Sequence, residues 1–159
     1  VVRLHDAWAR FCRELVIMSA GCRPYTSSRV RLPCAPGIQK GTDVILTLLR
    51  RYPRKRYEPN WATARECLDA AQRLQILNFS TVSAAIGSTN SPAEEIRHVR
   101  NFFAHRSKNS ADQIRNQSFF VAGSRLNLED VVGMIVPPGI TRMESWMIDL
   151  RIVAEAAIQ

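Results

Sequence analysis

A chain of 159 residues, 46% hydrophobic and 23% charged, is one soluble globular domain by length and large enough to bury a core. No apolar run approaches the ~20 residues a membrane span needs and no leader segment is visible, so no membrane partner is expected and the cytoplasm is the default expectation. Against 14 acidic residues stand 22 basic ones, giving a net charge of +8 and a pI near 10.0, which suits a phosphate-bearing partner.

Leu4, Trp8, Phe11, Leu15 and Met18 alternate spacings of four and three, which predicts an amphipathic helix ending near Gly21. Segment 22–41 then carries Pro24, Pro33, Pro36, Gly37 and Gly41 and reads as a long irregular connection, a type usually functional or mobile. Thr42 opens a second helix with Val44, Ile45, Leu48 and Leu49 inward, stopped by Pro53. In the run 50–57 that follows, tyrosines interleave with basic residues. Arg54, Lys55 and Arg56 are candidate RNA contacts there; a solvated basic turn is the alternative. Nearly all the positive charge is Arg, with Lys only at 40, 55 and 108. That bias suits bidentate phosphate contact, though a G- and C-rich genome gives the same bias.

Asn60 is expected to cap a third helix with Ala64, Cys67 or Leu68, Ala71 and Leu74 inward, and a short helix from Ser80 to Ile86 ends at Gly87. Further on, Ser110 with Gln113 reads as a capping box for a segment to about Phe120. Asn127 caps a short helix before Val136-Pro137-Pro138-Gly139. Thr141 with Glu144 caps the last helix, whose stripe is Met143, Trp146, Leu150, Val153 and Ala157. Strand signals are weak. The expected fold is all-α, a single domain over 1–159 with four to five main helices plus short ones. Cysteines at 12, 22, 34 and 67 lack the close pairing of zinc ligands, so neither a metal site nor a cofactor is expected; Cys12 and Cys67 read as buried thiols.

The best-signalled helix spans 91–106. Ser91 sits at its N-cap, Pro92 at the first helical position, and Glu94 completes a capping box. At 100° per residue with His98 as zero, Ile96, Val99 and Phe103 fall at about 160°, 100° and 140°, forming the apolar stripe. Asn101, Phe102 and His105 fall at about −60°, 40° and −20° around His98, and Arg100 lies near −160°. Phe102 among these polar groups is left in water in a monomer, so it is the expected contact of a two-fold homodimer.

Arg100-Asn101-Phe102-Phe103-Ala104-His105, near the end of a helix in a small all-α chain, resembles the Arg-x4–6-His signature of the HEPN superfamily. The resemblance implies an HEPN-like helical bundle. It also implies a metal-independent endoribonuclease of the kind found in toxin–antitoxin, abortive-infection and RNA-processing systems. Carry-over is limited to Arg100, Asn101 and His105 as catalytic residues. A subgroup of that family carries a Tyr two residues after the His, which a nucleotidyltransferase antitoxin modifies. Ser107 stands there instead, so that antitoxin is not expected, while another protein antitoxin or regulatory partner stays open.

The chemistry agrees with those residue types. RNA supplies its own 2′-OH nucleophile, so cleavage needs a proton acceptor, a proton donor and positive charge near the phosphorane. One imidazole cannot accept and donate in a single in-line step; two copies of His105 across a dimer axis can. Arg100 contacts the phosphate as a fork, and Asn101, one turn before His105, orients the imidazole or the substrate. Arg97, His98 and Arg106 beside them are candidate RNA contacts. The competing expectations are an HEPN-like module that binds RNA or nucleotide without cutting, and an α-helical interaction protein whose Arg–His pair is accidental.

Overall fold

The computed structural model describes residues 1–21, 33–40, 42–52, 57–87, 92–117, 120 and 126–159. Ser91, Cys22 and the basic residues Arg54, Lys55 and Arg56 therefore lie outside the described residues. Within them the chain is mostly helical. In chain order come α1 (Val2–Ala20), α2 (Asp43–Arg51), α3 (Ala64–Leu74), α4 (Phe79–Ile86), α5 (Pro92–His105), α6 (Lys108–Arg115), α7 (Leu128–Gly133) and α8 (Arg142–Ala157). A two-residue antiparallel hairpin, β1 (Ile135–Val136) and β2 (Ile140–Thr141), turns through the Pro-Pro-Gly break. The expected break is thus a small hairpin, which two-residue strands are too short to announce by alternation.

α1 lies centrally, packed against α2, α3, α5 and α8, while α4 packs on α8 and α5 on both α6 and α8. Trp8, Cys12, Leu15 and Val16 of α1 are buried with Leu48, Leu74, Ile96, Val99 and Trp146. Each large apolar side chain removed from water in this way stabilises by about 1.5–3 kcal/mol. Met18, expected on the α1 stripe, is instead 45% exposed, and Ser19 and Ala20 take the inward positions. The face drifts because a strict 4-3 spacing runs ahead of 3.6 residues per turn.

Two caps differ from expectation. α3 begins at Ala64 after Thr63. Asn60 instead orders the preceding turn, its Oδ1 accepting from the Ala62 N–H at 3.3 Å while its own N–H donates to Glu66. The box at α6 belongs to Ser107, whose Oγ accepts from the Ser110 N–H, with Ser110 Oγ accepting from the Ser107 N–H, each at 3.2 Å. Ser110 is its third helical residue rather than its cap, and α6 stops at Arg115. Thr141 and Glu144 form their box as expected, and Asn127 caps α7.

Cys12 and Cys67 are buried free thiols in contact across α1 and α3. Their mutual hydrogen bond, then burial, push the Cys12 thiol far up. Cys34 is disulfide-bonded, which the cysteine spacing did not announce. Such bonds are uncommon in a reducing cytosol, and the cytoplasmic expectation gains nothing from the structure. Among the described residues no helix is long and apolar enough to cross a membrane.

Candidate functional site

α5 is held to the core by Pro92, Ala93, Ile96 and Val99, all buried. Glu95 fixes its rotation: Oε2 accepts from the indole N–H of Trp146 at 2.7 Å, with the Arg142 guanidinium 3.8 Å away. The far end closes sharply. The Arg106 N–H donates to the Phe102 carbonyl at 2.6 Å, Arg106 takes a left-handed φ of 43°, and Ser107 caps the next helix at once. α6 is thereby folded back onto α5.

That return covers part of the face expected to be free. His98 is half-buried, its Nδ1 3.2 Å from Oε1 of Gln113 on α6 and its Nε2 3.5 Å from the Arg97 guanidinium. Arg can only donate, which assigns Nε2 as the acceptor and Nδ1–H as the donor to Gln113. His98 thus serves as a fastener between helices. Phe102 is not left in water either. Its ring meets Phe103 edge-on with centroids 4.9 Å apart, and both pack half-buried against the core. The projection that leaves Phe102 in water is corrected: its ring is partly covered within the monomer, by Phe103 and the core.

The three motif residues stay accessible. Arg100 and Asn101 are half-buried, and the Arg100 guanidinium donates to Asn101 Oδ1 at 3.1 Å. His105 is exposed in the last turn, and its side chain makes no hydrogen bond among the described residues. Asn101 precedes it by one turn, about 6 Å along the axis. The polar amide therefore bridges Arg100 in fact and faces His105 by register. Arg106 is exposed at the corner.

Arg97 is drawn the other way, pairing with Glu94 at 2.6 Å. Both residues line a cleft of about 770 Å³ together with Tyr52, Thr63, Arg65, Glu66, Asp69 and Arg73. One wall is tightly built. The Tyr52 hydroxyl bonds Asp69 Oδ2, and Arg73 lies 4.3 Å over the Tyr52 ring. Arg73 also donates to Asp69 at 3.1 Å and to the Arg51 carbonyl at 3.2 Å. Burial, reinforced by the Asp69 bond, pushes the Tyr52 phenol upward, so it remains a protonated donor. Tyr52 is only 6% exposed and offers no stacking face, contrary to the reading of the 50–57 run, whereas Tyr57 is 82% exposed. The cleft itself was missed. Its signal was the charged ridge Arg65, Asp69, Arg73 at four-residue spacing on α3, which reads equally as a solvated face.

Among the described residues, no group of three His, Cys, Asp or Glu side chains converges as metal ligands would. No protein-family model, characterised protein or solved structure matches the chain. Chemically, the end of α5 offers an accessible imidazole and, one turn away, a guanidinium oriented by an amide.

Proposed function

We propose that the chain is an HEPN-type, metal-independent endoribonuclease, a toxin or antiviral abortive-infection effector acting as a homodimer on RNA. The observation that carries this reading is the Arg100–Asn101 pair set one turn before an exposed His105. In this mechanism Arg100 binds the scissile phosphate as a fork and neutralises charge that grows in the phosphorane. Asn101 holds Arg100 and keeps its amide N–H₂ for the imidazole or the substrate.

His105 takes the proton of the 2′-OH as the 2′-oxygen bonds to phosphorus. The P–O5′ bond breaks, and the leaving oxygen needs a proton from a second acid. Each chain brings one such imidazole, so the partner subunit's His105 supplies it. The homodimer rests on this requirement. Products are a 2′,3′-cyclic phosphate and a 5′-OH.

The test is cleavage of labelled RNA with and without EDTA, followed by end-group analysis. Cutting that survives EDTA and leaves 2′,3′-cyclic ends supports the reading. Activity abolished by EDTA and restored by magnesium, or undiminished cutting at 2′-deoxy positions, defeats it. A second reading, a module that binds RNA without cutting, is favoured by one observation: no described residue orients His105 by a hydrogen bond. It predicts RNA binding with no cleavage under any of these conditions.

A further inference from the structure

We infer that the α3–α5 cleft is a binding subsite for single-stranded RNA, taking the nucleotide beyond the scissile phosphate with Arg65 on its phosphate. The inference rests on the ribonuclease reading for its polarity and on the cleft for its location.

Arg97, Asn101 and His105 stand at four-residue spacing and form one ridge of α5. Its first member lines the cleft and its last is the accessible imidazole, about 12 Å further along the axis. Arg100 bonds Asn101 in the middle of this ridge. A strand whose scissile phosphate meets Arg100 and His105 and which follows the ridge toward the helix start is delivered into the cleft.

The cleft suits such a guest. Its three guanidinium groups are not equivalent. Arg73 is committed to Asp69, the Arg51 carbonyl and the Tyr52 ring, and Arg97 is paired with Glu94. Arg65 is exposed and has no hydrogen-bond or ion-pair partner among the described residues, so its fork is open to an incoming anion. The carboxylates on its walls are already engaged, Asp69 by Tyr52 and Arg73, Glu94 by Arg97 and Glu66 by the Asn60 N–H, so the free charge of the cleft is the Arg65 guanidinium. A phosphate on Arg65 with its nucleotide in the cleft requires that nucleotide to be splayed out of a stack, which unpaired strands allow. Duplex RNA, with its bases stacked, is excluded.

The experiment measures binding of a labelled single-stranded oligoribonucleotide to the full chain carrying His105→Ala, across a salt series. Arg65→Ala is compared with Arg151→Ala, which removes an equal charge from the outward face of α8. Arg65→Ala is expected to weaken binding by about threefold to tenfold at low salt and to flatten the log–log salt slope by about 0.7, one phosphate contact for a single strand. Arg151→Ala is expected to leave the slope unchanged, Arg65→Lys to restore part of it, and a fully paired duplex to compete poorly. Equal slopes for Arg65→Ala and Arg151→Ala overturn the subsite even if the wild-type chain cuts RNA. An Arg65-dependent slope upholds it even if the wild-type chain proves unable to cut, in which case only the ribonuclease reading falls.

Discussion

The indole N–H of Trp146 reaches 2.7 Å to Oε2 of Glu95 across 51 residues of chain, tying the last helix to the helix that carries the candidate site. Trp146 is fully buried, and the bond ends on a carboxylate, which makes it stronger than a neutral one. Trp146→Phe keeps most of the ring but removes this donor, leaving Glu95, among the described residues, only the Arg142 guanidinium 3.8 Å away. The expected loss is about 2–4 kcal/mol, from a charged hydrogen bond and a small cavity together. Urea denaturation checks it; a loss under about 1 kcal/mol means that the bond does not anchor α5.

Gln75 closes α3 with φ 56° and ψ 46°, a left-handed conformation that costs an L-residue about 1–2 kcal/mol and glycine almost nothing. Its side chain is exposed, so nothing is lost with it. Gln75→Gly should raise stability by about 0.5–1 kcal/mol once the greater freedom of glycine in the unfolded chain is counted. A lower melting temperature would contradict the cap assignment.

The Arg13 guanidinium holds the Glu58 carboxyl below the ordinary glutamate range, with help from the Trp61 indole and against some burial. A depressed folded value means that the carboxylate contributes stability above the unfolded value of about 4.3 and loses it as pH falls through the folded one. Glu144 behaves alike, lowered by its capping bonds to Thr141. Stability should therefore decline on acidification below about pH 4.3, and Glu58→Gln should flatten that decline. Thermal melts at stepped pH measure it; parallel curves for the two proteins would remove Glu58 from the account.

Arg100 and Asn101 should behave as a unit, since one donates to the other. Arg100→Ala should lower both cleavage and RNA affinity. Arg100→Lys should recover only part, because an ammonium cannot form the fork. Asn101→Ala should lower cleavage by less than Arg100→Ala, and the double variant should fall short of the summed effects in a double-mutant cycle. Full additivity would mean that the bond seen between them carries no function.

Helix identity was legible wherever an apolar stripe met a side-chain cap, as at Thr141–Glu144 with Trp146 and Leu150 behind it. It was less so at α6, where two serines three residues apart compete for the cap and only the left-handed turn at Arg106 decides between them. The same turn explains the largest misreading of the site. Projection on an isolated helix leaves His98 outside, but the helix folded back through Ser107 brings Gln113 onto it, while Phe102 is partly covered by Phe103 and the core. Arg100 and Asn101 are half-buried and His105 is exposed, near the C-terminal end of α5. The cleft needed α3 and α5 to face one another, and no local pattern encodes how two charged faces are placed.

The most direct measurement is the cleavage rate of the His105→Ala chain on single-stranded RNA beside that of the wild type, with affinity and melting temperature recorded for both. His105 is exposed and supports no core contact, so the substitution should leave folding and RNA affinity near wild type. The account predicts a rate at least ~10²-fold lower, the usual cost of losing a positioned acid–base group. Cleavage by His105→Ala at the wild-type rate contradicts it.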